Sequence, residues 1–550
     1  MRKSILVLAA TLVLLAAACG SDPDIVGAGG PGGASSGRGL AAAKTVRTLD
    51  NVFGGPDQPD VRVAVGATVT WVNNGRNDHD IVPIGKSKAT GLGVPEQQFR
   101  PGDSYRNRFT KPGVYEYYCS LHGTKDGGMK GRILVGDVAA PAPAKTSTSK
   151  AAARASGNTI SVPKDHPTIQ KAVDAAKPGD LIAISPGTYR EAVDVPASKP
   201  YLTIRGLDRN KTILDGEFKR ANGFKVVKAN GVAIENLTAK NFTKNGFFWT
   251  GAKGYRGSYL TAIRNGDYGV YAFESTTGQF DHDYATGSPD AGFYIGGCQP
   301  CDALITDVTS EWNGLGYSGT NAGGNLLIVK STFRFNRAGV VPNSGSYEPN
   351  APQRANTIVG NLVQDNNNGK TPAIDVAVTA MGNGILSAGG QDNVIERNRV
   401  VDHTLGGIVI ITYPETAEYV WEAKNNVVRA NVVSGSGLGD LAFWHDPEGT
   451  KGGNNCFADN VFTTSAPNNL EEAAPCAGGG TGNFKDGAFD IVKLAVNDGK
   501  PMSVPYEKAE LPPVPDQANM ADAATAPGRP AIDVPEKVDL AAIGVPDAPR

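Results

Sequence analysis

Between Cys119 and Met129, a thiol, an imidazole and a thioether fall within eleven residues, in Tyr117-Tyr118-Cys119-Ser120-Leu121-His122-Gly123 and the following Gly127-Gly128-Met129. A second imidazole, His79, stands upstream in Asn77-Asp78-His79-Asp80-Ile81-Val82. One Cys, two His and a distant Met form the donor set of a trigonal Cys/His/His plane with a weak axial thioether, an arrangement suited to copper. Soft sulfur holds Cu(I), imidazole suits both oxidation states, and the mixed set satisfies neither geometry fully. That compromise lowers the reorganisation a one-electron exchange requires. Any one of these residues alone would pass for an ordinary core or surface side chain. The four together, in this order and over a wide span of sequence, carry the reading.

The elements that must position them are strands. Tyr115, Tyr117 and Cys119 alternate as on a half-buried strand, and so do Val61, Val63 and Val65, then Val69 and Trp71. Pro101-Gly102-Asp103 and Lys111-Pro112-Gly113 mark turns. Cys119 is expected at a strand end. A loop with Gly123, Gly127 and Gly128 is expected to bring His122 and Met129 back over a metal.

With these residues in view, residues 44–136 resemble a cupredoxin of the plastocyanin/azurin type. The matching stretches are Thr70-Trp71-Val72-Asn73, His79-Asp80-Ile81-Val82, Phe109-Thr110-Lys111-Pro112-Gly113-Val114-Tyr115 and the Cys119/His122/Met129 segment. The resemblance implies a β-sandwich with one type 1 (blue) copper, His79, Cys119, His122 and Met129 as its ligands, and a redox partner protein. Two departures stand out. The family often places Asn directly after the first His, bonding the Cys sulfur, where this chain has Asp80. The step from His122 to Met129 is longer than in plastocyanins.

The rest of the chain bounds the setting. Its 550 residues leave room for two or more domains. A net charge of −2 gives no basic footprint for nucleic acid. The 69 Gly and 36 Pro, with 7% aromatic residues, favour many turns and short strands, an all-β fold. Met1-Arg2-Lys3 followed by an apolar run from Ile5 to Ala18 is a secretory signal, too short for a typical membrane span. Small residues before Cys19 resemble a bacterial lipobox, which implies a lipidated Cys19, export to the cell envelope (periplasm or outer surface), and membrane attachment by the lipid alone. A plain signal peptide cut nearby is the other reading.

In order, the chain divides into a signal at 1–18, a Gly/Ala/Ser tether at 19–43, the sandwich at 44–136 and an Ala/Pro/Lys linker at 137–157. Residues 158–485 then carry a repeat. Gly followed by an apolar residue recurs at Gly223-Phe224, Gly246-Phe247, Gly269-Val270, Gly292-Phe293, Gly316-Tyr317 and Gly339-Val340, every 23 or 24 residues, and the phase resumes at Gly384-Ile385 and Gly407-Ile408. A second register of polar residues, Asn236, Asp307, Ser331, Asn361, Asn398 and Asn431, accompanies it. A unit this short excludes βαβ and fits three short strands per coil. Coils stacked as parallel strands would align Phe224, Phe247, Val270 and Phe293 in one inward column and let buried Asn amides bond rung to rung. The helical stretch Ile169–Ala175 is expected to cap the first coil. Residues 486–550, rich in Pro and Ala, are expected to form an extended tail.

This repeat, with Thr168-Ile169-Gln170-Lys171-Ala172 and Pro186-Gly187-Thr188-Tyr189-Arg190-Glu191, resembles right-handed parallel β-helix proteins of the pectin-lyase-like superfamily, and within it the NosD group. That implies the fold and leaves activity open. Catalytic candidates are Asp281 and Asp283, which could flank a sugar as acid and base, and His445 and Asp446 beside Trp444. Strand alternation would turn His282 away from the two carboxylates, and the other reading of Asp283 is a place in the inward ladder. Cys298 and Cys301 read as a redox pair, half a metal site or a disulfide pinning a turn. The disulfide is favoured because no second CxxC exists and no His follows directly. Cys456 and Cys476 would close the last coils. The expectation is an anchored copper protein for electron transfer, more a carrier than an enzyme, whose β-helix docks partners or a carbohydrate. The alternatives are a β-helix polysaccharide lyase or hydrolase with an accessory cupredoxin, and a copper-delivery accessory to a copper enzyme.

Overall fold

The computed structural model describes residues 40–54, 60–141, 157–445, 453–491, 494 and 504–549. The chain separates into two compact units, residues 1–145 and 146–550.

In the first unit, alternating apolar residues build two four-stranded sheets. One contains β1 (Ala43–Leu49), β2 (Val52–Phe53), β4 (Thr68–Asn73) and β6 (Ser104–Arg108). The other contains β3 (Asp60–Val63), β5 (Val82–Pro83), β7 (Gly113–Thr124) and β8 (Gly127–Val135). In β4, Val69, Trp71 and Asn73 turn inward while Thr68, Thr70 and Val72 are part-exposed. Trp71 meets Tyr117 of the facing sheet edge-on, ring centroids 5.4 Å apart. Val63, Val69, Phe99, Phe109 and Ile133 complete a closed core.

The second unit is a stack of coils, each making three strands. Its three parallel sheets hold 12, 10 and 11 strands. The Gly-apolar column is realised rung over rung. Phe224 aligns with Phe247, Phe247 with Val270, Val270 with Phe293, Phe293 with Tyr317, and Tyr317 with Val340. All are fully buried, and the Phe224 and Phe247 rings lie parallel at 5.9 Å. The glycine before each is a matter of space. A Cβ on Gly246 would stand 2.8 Å from Gly269 O and 2.7 Å from Asn265 Nδ2. Where the repeat loses phase, Val340 still pairs with Ile385, so the longer coil carries its extra residues outside the ladder.

Buried asparagines stack as well. Asn361 donates its backbone N–H and Nδ2 to Asn398 Oδ1, Asn398 does the same to Asn431, and Asn431 to Asn460, where Glu471 ends the run. Ser331 heads it by donating its N–H to Asn361 Oδ1. Asn236 and Asp307 do not belong to this ladder. Each sits one residue earlier, in a left-handed corner shared with Tyr259, His282 and Lys330 (φ between 47° and 58°), while the equivalent of the ladder position is Leu237 or Val308. The alternation expected of a strand fails at such a corner.

The ends are closed as a solenoid requires. Helix α1 (Ile169–Ala175), whose first turn is capped by the Thr168 side chain accepting from Lys171 N–H, buries Ile169, Ala172 and Val173 on the first coil. At the far end, Leu470–Ala473 forms a short helix and Cys456 is bonded to Cys476. Cys298 is bonded to Cys301. Of the expected tail, residues 504–549 lie along the coils and make short helical turns at Tyr506–Lys508 and Leu540–Ala542.

Candidate metal centre

The first donor is held by a loop pinned at both ends. Asn73 Nδ2 donates to Asn77 O and Phe99 O, at 2.9 and 3.1 Å. Asp50 Oδ1 accepts the N–H groups of Arg76 and Asn77. Gly75 is needed there, since a Cβ would stand 2.3 Å from that carboxylate oxygen. The other donors come from β7, where Tyr115, Tyr117 and Cys119 are buried in alternation. No open ligand loop follows. β7 runs on to Thr124 and turns directly into β8, with a register shift between Tyr118 and Gly123. Gly123 permits this close passage, because a Cβ there would lie 2.8 Å from Met129 N.

This scaffold brings His79, Cys119 and His122 together in the interior. Cys119 Sγ lies 3.7 Å from His79 Nδ1 and 3.6 Å from His122 Nδ1, and the two nitrogens are 3.2 Å apart. The centre of that triangle is about 2.0 Å from all three atoms, close to the lengths of metal–imidazole and metal–thiolate bonds. The donor set therefore fits a single copper ion by both chemistry and spacing. Met129 is buried on β8, the strand paired with the ligand strand.

Asp80 has a role that its sequence position did not disclose. Its Oδ1 accepts the Ser120 N–H at 2.6 Å and its Oδ2 the Ser120 hydroxyl at 2.5 Å. The residue after the first imidazole is thus tied to the residue after the thiol. Burial, and after it the charge of Asp80, push the Cys119 thiol up to about 12, against opposing backbone hydrogen bonds. A metal that takes the thiolate must displace that proton.

In the β-helix the candidate acids take structural positions. Asp281 is buried and saturated, accepting from Arg256 Nε at 2.9 Å, Ser258 Oγ at 2.6 Å and Gln279 Nε2 at 3.0 Å, with His282 Nδ1 at 3.1 Å. Burial opposes its ionisation, but hydrogen bonds from His282 and Arg256 overcome that and hold the carboxyl well below its usual range. Asp283 lies in the inward ladder, its Oδ1 accepting Leu260 N–H at 2.7 Å, and burial followed by the Asp281 charge raises its pKa well above normal. An acid–base pair flanking a sugar needs both carboxyls at the surface, and Asp283 is 2% exposed. His282 is not turned away. Its left-handed backbone leaves the ring half exposed, bonded to Asp281 and stacked on Tyr259 at 4.5 Å. His445 rests against Phe443 and Phe484. Asp446, like Cys19 and the signal segment, lies outside the described residues.

Comparison with known proteins agrees with both units. Residues 56–136 match the model of copper binding proteins of the plastocyanin/azurin family, and residues 245–418 match a right handed beta helix region. Plastocyanin of Scenedesmus fuscus is 40% identical over 81 residues, which is 14% of this chain and 80% of that protein. Amicyanin of Paracoccus denitrificans is 29% identical over 83 residues, 14% of this chain and 56% of that protein. Among solved structures, the A-module of the Azotobacter vinelandii mannuronan C-5 epimerase AlgE4 covers 53% of this chain and 90% of its own at 15% identity, with a TM-score of 0.40. A reduced amicyanin covers 17% of this chain and 82% of its own at 24% identity, with a TM-score of 0.15. Through its N-terminal domain the chain belongs to the plastocyanin/azurin family of copper-binding proteins, and it carries a right-handed parallel β-helix behind that domain.

Proposed function

We propose that this protein is an exported electron carrier with one type 1 copper, which His79, Cys119, His122 and Met129 would hold. The observation that carries the proposal is the buried triangle of one sulfur and two imidazole nitrogens. Copper there supplies one-electron exchange with a redox partner protein. The chain's own residues do the rest: Asn73 and Asp50 fix the His79 loop, and the Asp80–Ser120 bonds lock it to the Cys119 strand. Such cross-bracing would hold the donors in place, and reorganisation on electron exchange would stay small.

In this reading the signal is removed, Cys19 is lipidated and the protein stays at the cell envelope, with the β-helix as a scaffold that docks a partner or a carbohydrate. Among the described residues no helix is long and apolar enough to cross a membrane. The saturated Asp281 and buried Asp283 favour the scaffold role over a two-carboxylate hydrolase. Titration of the purified full chain with copper(II) tests the centre. One equivalent is expected to produce an intense visible thiolate-to-copper band that Cys119→Ser abolishes. Copper bound without that band would overturn the type 1 assignment.

A further inference from the structure

The C-terminal segment 504–549 follows a defined route over the β-helix. Its first limb runs toward the early coils. Arg264 Nη1 donates to Glu507 O at 2.9 Å, and further along Asn210 and Gln517 exchange two hydrogen bonds at 2.9 Å. Arg209 Nη1 then donates to Ala518 O, and Met520 N–H to Asn236 Oδ1. The segment turns and a second limb climbs back. Arg205, fully buried, donates to Ala526 O and Pro527 O while its Nε holds Glu235. Glu536 N–H meets Gln279 Oε1 at 2.8 Å, Arg397 donates to Leu540 O, and Arg399 to Pro546 O.

Three features mark this surface as a recognition groove. The coil side chains bond chiefly to the main chain of the segment, and arginine supplies most of the donors. A proline-rich extended chain has carbonyls in excess of N–H groups, so guanidinium donors match it. The coils also leave notches. A Cβ on Gly287 would strike Leu511, one on Gly254 would stand 2.4 Å from Ala531 O, and one on Gly360 would stand 2.2 Å from Ile543. Finally, no strand of the three long sheets comes from the segment, and its buried apolar residues are mostly small: Ala509, Met520, Ala523, Ala531 and Ile543. The ladders and the main core are complete without it.

The second limb also lies over a cleft of 830 Å³ lined by Arg256, Tyr259, Asp281 and His282 from the coils and Glu536 and Val538 from the segment. Gln279, which accepts from Glu536, donates in turn to Asp281, the partner of His282. We propose that the groove is a binding site for an extended, proline-rich polypeptide, and that residues 504–549 are its resident ligand, a releasable latch across the His282 cleft.

The test uses the full chain with a specific protease sequence inserted between residues 495 and 503. After cleavage, a fluorescent synthetic peptide of residues 504–549 is added in excess, and exchange is followed by anisotropy together with the His282 ring signals in NMR. The expected result is exchange under native conditions with unchanged unfolding of the coils, displacement of the His282 signals as the latch leaves, and at least tenfold weaker competition by the Ile543→Asp peptide. A cut segment that leaves only when the coils unfold would overturn the proposal and make it a fixed part of the fold. Equal competition by the Ile543→Asp peptide would overturn it too, because the notch at Gly360 would then recognise nothing.

Discussion

Around Cys119, three polar side chains from two segments forty residues apart are buried with their donor atoms converging on one point. In the β-helix, buried polar side chains are as deep, but each amide passes to the next coil, as from Asn361 to Asn398 to Asn431. A stack of amides satisfies itself at every rung and needs nothing from outside. A convergent sulfur and two imidazoles, spaced to reach a common centre, make a cavity of donors that a metal completes. Depth of burial therefore does not distinguish a site from a framework. The direction in which the polar atoms point does.

If that contrast is right, the two regions break separately. Phe247→Ala removes a ring from the inward column and should destabilise the β-helix by roughly 3–5 kcal/mol. Denaturant unfolding of the full chain, followed at Trp249 fluorescence, measures it, while the copper band should stay unchanged. A shift within about 0.5 kcal/mol would mean that the column carries no packing.

Acid should act on the β-helix through His403. It ends a second amide run, in which Asn313 Nδ2 donates to Asn336 Oδ1, Asn336 Nδ2 to Asn366 Oδ1, and Asn366 Nδ2 lies 3.2 Å from His403 Nε2, and it is buried. Burial lowers its pKa from 6.5 to about 3 in the folded chain. Above pH 6.5 the ring is neutral in both states and contributes no pH dependence. Below that the unfolded chain takes a proton the folded chain refuses, so stability falls from pH 6.5 down to about 3, by about 1.4 kcal/mol per pH unit from this group. His403→Asn, which extends the amide run, should flatten that slope. Thermal melts between pH 7 and 4 compare the two proteins, and an unchanged slope would remove His403 from the account.

The smallest effect is expected at the copper centre itself. Replacing the Asp80 carboxylate by an amide keeps one acceptor for Ser120 and removes a negative charge near the thiolate. Negative charge favours the oxidised centre, so Asp80→Asn should raise the reduction potential, by about 59 mV for a tenfold one-electron change. Voltammetry of both proteins decides the sign, and a lowered potential would contradict the electrostatic role given to Asp80.

How much of this was legible beforehand differs between the regions for physical reasons. The ligand segment shows in sequence because Tyr115, Tyr117 and Cys119 alternate and because metal donors are few and chemically distinct. The coil column shows because parallel stacking puts one residue type at one position on every rung. The Asp80–Ser120 bonds are hidden, since they depend on how a loop and a strand forty residues apart come side by side. Sequence pattern places Asn236 and Asp307 with the ladder because a left-handed corner shifts the register by one residue without leaving a mark in composition. The same kind of corner, at His282, keeps its ring beside Asp281 against the alternation of a strand. The route of residues 504–549 was illegible, because prolines and alanines signal an extended chain and say nothing of the arginines, more than a hundred residues away, that hold it.

X-ray absorption at the copper edge of the loaded full chain tests the central claim most directly. The account predicts one sulfur at a short bond length and two imidazole nitrogens at roughly 2.0–2.1 Å, with the sulfur contribution lost in Cys119→Ser. A first shell of nitrogen and oxygen alone in the unmodified protein would contradict it.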